Sequence, residues 1–316
     1  MNKDRINKLK KIIHNALSPL IKGEYALLDI PNHYNIGDNL IWQGEVNFLS
    51  SLKDCREVYT ANFINWEEYK IQNVNTILFH GGGNWGDLYR VCQEMRNYIT
   101  SKYHNKRIII FPQTVFYINN DLLKSDCEIY QNHPDVYICV RDKASYDILS
   151  QHISKEKLLL LPDMAFYLDI KPEISGCKTL YMQRRDFELD PSKLIHISNC
   201  DIKDWPTFSN NRYINSFRLK WMEVKRFLSL KFQNNKILSK FVDSAYGLNR
   251  RDARSYYVNL GIKFFSKYNK IYTTRLHGLI LGVLMGKKMV IVDNKYNKCM
   301  NFYKTWLKDF DNIEII

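Results

Sequence analysis

The chain has 316 residues, which is long enough for two globular domains. It is 45% hydrophobic and 25% charged, and this composition excludes a disordered or low-complexity protein. Lys and Arg outnumber Asp and Glu by 46 to 33, and the net charge of +13 favours anionic partners: phosphates, nucleic acid or a membrane surface. The seven cysteines include no Cys-X-X-Cys pair, which disfavours a zinc site or disulfide framework and is typical of a reducing compartment.

The N-terminal sequence MNKDRINKLKKIIHNALSPLI is too polar for a signal peptide. The longest apolar run, residues 279–285, is far shorter than the roughly 18 residues that a membrane span requires. We therefore expect a cytoplasmic protein that touches a membrane peripherally at most.

The first half of the chain alternates short β-branched segments with amphipathic helical patterns. Runs such as RIIIF are apolar throughout, which indicates strands covered on both faces of a parallel sheet. Parallel strands need crossover helices, so this order predicts βαβ units. The predicted strands are 25–30, 58–61, 76–79, 107–111, 136–140 and 158–161, and the predicted helices between them are 39–52, 88–103, 122–131 and 144–153.

The sequence turns polar near residues 169–177, where we place the boundary between a first domain (1–172) and a second (173–298). The second half predicts strands 179–183, 194–198, 271–274 and 289–292 and helices 253–267 and 279–285. We expect an α/β protein in which two doubly wound, Rossmann-like domains face a cleft, with ligands at the carboxyl ends of the strands. Residues 299–316 are expected to form a helix that crosses back to the first domain.

Residues 212–240 interrupt the alternation with eight Lys and Arg against a single acid, Glu223, and with interleaved aromatic residues. Two interpretations remain open for this segment. It is either the solvated face of core-packed helices or a surface that docks onto a membrane or an acceptor, because basic amphipathic helices are attracted to anionic lipid.

Small and polar residues follow several predicted strands. After the first strand, Gly37 permits a tight turn and Asp38 is placed to cap the next helix. After the third, the sequence FHGGGNWGD offers backbone N–H groups to an anion through its glycines. It matches neither the GxGxxG fingerprint nor a Walker A motif, which disfavours a nicotinamide or P-loop site.

The second half places arginines at two strand ends, in Arg184-Arg185 and in Arg275-Leu276-His277-Gly278. Arginine at such a position suits bidentate binding of a carboxylate or phosphate. A single histidine is more often structural, but the neighbouring Arg275 and the glycine-rich loop opposite favour a functional role for His277.

The ordered motifs GDNLIWQG, FHGGGNWGD, FPQT, VRDKAS, LPDMAF, TTRLHGLILGVLMGK and VDNKYNK, which run from Asn35 to Lys298, resemble the polysaccharide pyruvyl transferase family. The resemblance implies a fold similar to the two-domain GT-B glycosyltransferases. It also implies phosphoenolpyruvate as donor substrate, a sugar of an oligosaccharide or lipid-linked oligosaccharide as acceptor, a pyruvate ketal as product and release of phosphate. It implies neither a cofactor nor a metal ion.

The matching motifs assign the functional positions of the family to residues of this chain. The resemblance implies that phosphoenolpyruvate is bound by residues of both halves: Arg275, Leu276, Arg184 (or Arg185 in its place), Gly82, Gly83 and Asn84. Two acid–base groups are needed, and His277 and Asp38 are the candidates. Asn39, Gln113 and Asp163 are candidate acceptor contacts.

Two other functions compete with this interpretation. A GT-B glycosyltransferase that uses a nucleotide sugar would need a site for the ribose and base, and VDNKYNK offers only Asp293 there. A nucleic-acid-binding protein would explain the positive charge but not the arginines and glycines at strand ends, so we expect no nucleic acid partner.

Overall fold

Two parallel β-sheets organise the computed structural model, which describes residues 2–172, 176–208 and 251–316. The first sheet has the order β2-β1-β3-β5-β6-β7, and β4 pairs with the end of β5. Its strands are β1 (Gly23–Leu28), β2 (Cys55–Ala61), β3 (Thr76–Phe79), β4 (Gly82–Gly86), β5 (Arg107–Phe116), β6 (Val136–Val140) and β7 (Leu158–Leu160).

The second sheet has the order β12-β11-β10-β8-β9, again with parallel pairing throughout. Its strands are β8 (Lys178–Met182), β9 (Asp201–Lys203), β10 (Tyr268–Thr273), β11 (Lys288–Ile291) and β12 (Ile313–Ile315). In both sheets the first strand lies between the second and the third, which creates a topological switch point at β1/β3 and another at β8/β10. Ligands of doubly wound sheets bind at the carboxyl ends of the strands at such points.

Helices cover the sheets and connect the strands. They are α1 (Asn2–Leu17), α2 (Ile36–Ser50), α3 (Arg90–Lys102), α4 (Asn120–Asn132), α5 (Lys143–Leu149), α6 (Arg251–Phe265), α7 (Leu276–Leu284) and α8 (Lys298–Phe302), the last of which continues as a π-helical turn, Tyr303–Leu307. No helix in the described ranges is long and apolar enough to cross a membrane.

One hydrophobic core joins the two sheets. Side chains of α1 and α2, such as Ile13 and Phe48, belong to the same buried cluster as Phe265 of α6 and Leu279 of α7. Gly44 allows α2 to approach the 3₁₀ turn Met164–Tyr167, because a Cβ at this position would lie 1.9 Å from the Met164 carbonyl oxygen. A second cluster fills the other face of the first sheet.

The structure corrects three expectations. The strand predicted at 194–198 is wrong: Asp201–Lys203 is the strand that pairs with β8, and 194–198 has no strand partner in the described chain. The cap of α2 is Asn35, whose side chain accepts a hydrogen bond from the Gly37 N–H, whereas Asp38 lies in the first turn. The C-terminal segment is helical only as far as Leu307 and then returns to the second sheet as β12.

The indole N–H of Trp306 in the C-terminal segment donates a 2.9 Å hydrogen bond to the carbonyl of Arg141, the residue after β6. The basic segment 212–240 lies outside the described residues, so both interpretations of it stay predictions.

Candidate active site

Residues that follow the carboxyl ends of strands in both sheets meet at one site. Arg141 follows β6, Asp163 follows β7, and His277 lies in the first turn of α7, directly after β10. The Arg141 Nη1 donates to the Asp163 Oδ2 at 2.6 Å, and the His277 Nε2 is 3.4 Å from each of these atoms. His277 of the second domain therefore contacts a buried ion pair of the first, with Arg141 2% and Asp163 0% exposed.

Asp163 is ionised in this environment. Burial alone would raise its pKa, but the hydrogen bond and charge of His277, the Arg141 guanidinium and the Ala165 N–H together hold the pKa well below its usual value. A carboxylate with this pKa keeps its negative charge beside His277 throughout the neutral range.

The opposite edge of the His277 ring faces the start of α2. A Cβ at Gly37 would lie 2.6 Å from the His277 Nδ1, so only glycine lets the ring pack this closely against α2. Asp38, the next residue, accepts a hydrogen bond from the Asn35 side chain at 2.7 Å and lies 3.5 Å from the His33 Nε2. Gly37 thus packs against one candidate acid–base residue, His277, and directly precedes the other, Asp38, in the sequence.

One carboxylate bridges the two arginines predicted to bind phosphoenolpyruvate. Asp186 accepts from the Arg184 Nε at 2.7 Å and Nη2 at 3.1 Å, and also from the Arg275 Nη2 at 3.0 Å. Arg275 is held in addition by a bidentate contact with Asp204. Arg185 is exposed, which favours Arg184 over Arg185 as the residue that faces the switch point.

A second carboxylate, Glu188, pairs with two cations and an amide, and the sequence did not predict that these side chains lie together. Its Oε2 accepts from the Arg184 Nη1 at 2.7 Å, the Lys298 Nζ at 2.9 Å and the Asn294 Nδ2 at 3.0 Å. Burial lowers the pKa of Lys298 more than Glu188 raises it. The VDNKYNK motif contained Lys298, but no local pattern assigned this lysine to the site.

The glycine-rich loop approaches these cations through its backbone. A Cβ at Gly83 would lie 3.2 Å from the Arg141 Nη2 and 3.6 Å from the Lys298 Nζ, and Gly82 has a φ of +126°, which favours glycine. The Asn84 side chain instead fastens the loop: its amide donates to Asp29 and accepts from Arg96, both at 3.0 Å.

The three candidate acceptor contacts are all buried and bonded within the protein. Asn39 donates to the His33 and Asn35 carbonyls, and Gln113 donates to the His80 carbonyl. Asp163 pairs with Arg141 and His277. These side chains hold the loops of the site in place, and in this structure they offer no open surface to an acceptor.

A buried pair below the loop was not found from the sequence. The His80 Nδ1 lies 2.8 Å from the Glu45 Oε2, and the Gly81 N–H donates to the Glu45 Oε1 at 2.8 Å. Burial raises the pKa of Glu45. Burial would lower the pKa of His80, but the charge and hydrogen bond of Glu45, together with the charges of Asp38 and Asp29, raise it overall. Glu45 lies on the helix face that carries apolar residues, so its partner was not predictable.

Fold and site together define an α/β protein of Rossmann-like, GT-B-like build, with a site of paired basic and acidic side chains where its two sheets meet. A crystal structure of an uncharacterized protein, KP1_0663, from Klebsiella pneumoniae has a similar fold, with a TM-score of 0.56 over 98% of both chains at 19% identity. The described residues contain no group of three or more His, Cys, Asp or Glu that could hold a metal ion.

The family model for polysaccharide pyruvyl transferase matches residues 35–296, a range that includes Arg141, Asp163, Arg184 and His277, and the chain belongs to this family. The Bacillus subtilis (strain 168) protein named "Putative pyruvyl transferase EpsO" is 30% identical over 322 residues, which cover 100% of this chain and 95% of the relative. "Pyruvyl transferase 1" of Schizosaccharomyces pombe is 27% identical over 297 residues, 89% of this chain and 69% of the relative.

Proposed function

We propose that the protein transfers the enolpyruvyl group of phosphoenolpyruvate to a sugar of a cell-surface polysaccharide or its lipid-linked precursor, forms a pyruvate ketal and releases phosphate. The observation that carries the proposal is the Asp186 carboxylate that bridges Arg184 and Arg275. The carboxylate or phosphate of phosphoenolpyruvate has the same oxyanion geometry and can bind the same two guanidinium groups.

The start of α7 supports an anion at this position. Its N-cap, Arg275, has no side-chain capping bond, so the backbone N–H groups of Leu276 and His277 are not capped in this way. The first turn of a helix lacks intrahelical partners for such groups and carries a partial positive charge. With Lys298 and the Gly83 backbone near Arg141, this arrangement suits a substrate with two anionic groups.

The chemistry requires three proton transfers: one to the donor and one from each of two sugar hydroxyls. Protonation of the methylene carbon of phosphoenolpyruvate makes the central carbon electrophilic, and a sugar hydroxyl attacks it and gives up its proton. The bond from this carbon to the phosphate oxygen breaks as phosphate leaves, and a second hydroxyl closes the ketal with loss of its proton. His277 and Asp38 are our candidates for these steps, each contributing about 10²- to 10⁴-fold to the rate.

The His277 ring is held on both edges. Its Nε2 lies 3.4 Å from Asp163 and from Arg141, and its Nδ1 edge packs so closely against Gly37 that a Cβ there would lie 2.6 Å away. Asp163, Asn39 and Gln113 act as positioning residues in this scheme, and it requires no metal ion or cofactor.

A nucleotide-sugar glycosyltransferase is the alternative function. The two are separated by measuring the melting temperature with phosphoenolpyruvate and with a set of nucleotide sugars, because only a bound ligand stabilises the native state. We expect stabilisation by phosphoenolpyruvate, followed by phosphate release when an oligosaccharide acceptor is added. Stabilisation by a nucleotide sugar alone would support the alternative.

Replacing Arg275 with lysine is expected to lower the affinity for phosphoenolpyruvate at least about tenfold while the fold is retained. Lysine keeps the charge but loses the planar fork that contacts Asp186 and Asp204. Calorimetric titration measures the affinity, and circular dichroism checks the fold. The exposed neighbour gives the control, because Arg185→Lys should bind like the wild type; equal binding by Arg275→Lys would remove Arg275 from the site.

We also propose that residues 212–240 bring the enzyme to an anionic membrane that carries a lipid-linked acceptor, a proposal that rests on their charge alone. Changing Lys225, Arg226 and Lys231 to Glu is expected to abolish flotation with anionic vesicles at low salt, because basic residues near such a surface are held electrostatically. Activity on a soluble acceptor should be retained. If the unaltered protein does not float with these vesicles, the segment is a solvated face.

A further inference from the structure

Three carboxylates surround the two arginines of the proposed donor site, and one of them is placed differently from the others. Asp186 contacts both Arg184 and Arg275, Glu188 contacts Arg184, and Asp204 contacts Arg275. The Asp186 side chain is 36% exposed, against 6% for Glu188 and 3% for Asp204. Of these three carboxylates, Asp186 is therefore the one with access to solvent.

Asp186 occupies the edge of Arg184 that a carboxylate of the substrate would use. Its two oxygens accept from the Nε at 2.7 Å and from the Nη2 at 3.1 Å, which is the paired arrangement in which arginine binds carboxylates and phosphates. Its Oδ2 also accepts from the Arg275 Nη2 at 3.0 Å. Two carboxylates cannot occupy this edge at once, so an oxyanion of the substrate reaches both arginines here only after Asp186 has left.

The turn that follows β8 allows the Asp186 carboxylate to move away. The Leu189 N–H donates to the Asp186 carbonyl at 3.0 Å, which holds the backbone of this turn, and the neighbouring residues Arg185 and Phe187 are exposed. Because the side chain already has access to solvent, a change to another staggered rotamer would bring the carboxylate into water. The departure of Asp186 requires no rearrangement of the fold.

The two arginines keep buried partners when Asp186 leaves. The Glu188 Oε2 accepts from the Arg184 Nη1 at 2.7 Å, and Asp204 holds the Nε and Nη2 of Arg275. Both of these carboxylates are buried, so they fix the guanidinium groups from the side of the protein. An arriving oxyanion therefore meets arginines that are already oriented, which lowers the entropic cost of binding.

The charges of the cluster balance only while Asp186 is in place. Three carboxylates face three cations, which are Arg184, Arg275 and Lys298. An anion that bound beside Asp186 would add negative charge without a partner to a largely buried site, which is costly. An anion that displaces Asp186 instead takes over the positive charge that the aspartate releases.

We propose that Asp186 is an internal competitor of the donor: it occupies the oxyanion position between Arg184 and Arg275 in the free protein, and phosphoenolpyruvate displaces it on binding. This inference rests on the proposed function. A tethered group competes at an effective concentration on the order of millimolar, so Asp186 sets a threshold for the anions that bind. A monocarboxylate such as pyruvate only replaces one carboxylate by another, whereas phosphoenolpyruvate brings a second anionic group that Asp186 cannot supply.

Replacing Asp186 with asparagine is expected to tighten the binding of phosphoenolpyruvate about three- to tenfold, because the free protein no longer occupies its own site. Titration calorimetry of the full chain at neutral pH and low salt measures the affinity. Pyruvate and inorganic pyrophosphate are titrated in parallel and should gain by a similar factor. Asp186→Ala removes the carboxylate without leaving an amide, and it should show the same gain.

Two further variants separate competition from other effects. Asp190→Asn removes the same charge from the same loop, but Asp190 pairs with Ser192 and Lys193, so the affinity should stay within about twofold of the wild-type value. In urea, Asp186→Asn should unfold close to the wild-type midpoint. Glu188→Gln should unfold at a clearly lower concentration, because it removes a buried carboxylate from two buried cations.

The outcomes distinguish this proposal from the proposed function. Equal or weaker binding of phosphoenolpyruvate by both Asp186 variants would overturn the competition and make Asp186 a residue that positions the arginines, and an equal gain in Asp190→Asn would reduce the effect to net charge. Tighter binding of pyrophosphate by the Asp186 variants, with no binding of phosphoenolpyruvate to any of the proteins, would contradict the proposed function and leave the competition in place. Binding of neither anion would overturn both.

Discussion

Replacing His277 with glutamine is expected to lower kcat by about 10²- to 10⁴-fold while phosphoenolpyruvate still binds. Glutamine can occupy the space of the imidazole beside Asp163 and Arg141, but it cannot take up and release a proton near neutral pH. The substrate affinity should be nearly unchanged, because the side chains of Arg184, Arg275 and Lys298 remain. Single-turnover kinetics and calorimetric titration measure the two quantities separately.

A second variant checks this result without removing the histidine. In Gly37→Ala the new Cβ would lie 2.6 Å from the Nδ1, so it would displace the His277 ring. We expect a large loss of kcat here as well, with the fold retained. If His277→Gln keeps nearly normal turnover, the histidine is a structural element of the β10–α7 junction, and Asp38 becomes the first candidate for the acid.

Replacing Asp163 with asparagine is expected to destabilise the protein by about 3–5 kcal/mol, the usual cost of breaking a buried ion pair from one side. Arg141 would then be left with its charge 2% exposed and without the carboxylate that it contacts at 2.6 Å. Asparagine cannot substitute electrostatically, and its N–H₂ group would oppose the guanidinium donors. Urea unfolding of both proteins at neutral pH measures the difference.

The pH dependence provides an independent check. The pKa of Asp163 is lowered in the folded state, because the interactions with His277 and Arg141 overcome the cost of burial. Its contribution to stability is therefore fully present above the unfolded value of about 3.9 and is lost as the pH falls toward the folded pKa. The difference between wild type and Asp163→Asn should shrink as the pH falls below about 4.

Asp147→Asn is the matched control for this variant. Asp147 pairs with Lys143 on the surface of α5, where the two side chains are 54% and 60% exposed. Exposed helical pairs contribute only about 0.3–0.5 kcal/mol, so this variant should unfold almost like the wild type. A similar loss in both variants would mean that Asp163 does not stabilise a buried charge.

The central strands were predictable because their own residues determine them. The predicted strands 76–79 and 136–140 have the observed limits, since both are apolar on the two faces of a covered sheet and end at turn-forming or polar residues. The α/β class and the parallel pairing followed from the alternation of such strands with helical patterns, whereas the GT-B-like build was implied by the family resemblance.

Short strands at the sheet edges depended on their partners. Residues 194–198 and 201–203 are both brief, partly polar segments, and only the second lies where the backbone of β8 can pair with it. The strands β4 and β12 were missed for the same reason, because three to five residues carry little local preference and take their conformation from the neighbouring strand.

The residues of the site, like the strands, were predictable from the sequence only in part. Arg184, Arg275 and His277 could be proposed from the sequence alone, because the carboxyl ends of parallel strands gather at one edge of a sheet. Their partners could not. Asp163 is 114 residues from His277 and Glu188 is 110 from Lys298, and which side chains pair over such separations is decided by the packing of the two sheets.

Asn39 and Gln113 show the converse. Their sequence positions indicated an open rim, whereas the tertiary structure buries them. Because buried polar groups need hydrogen-bond partners within the protein, both side chains bond to neighbouring loops.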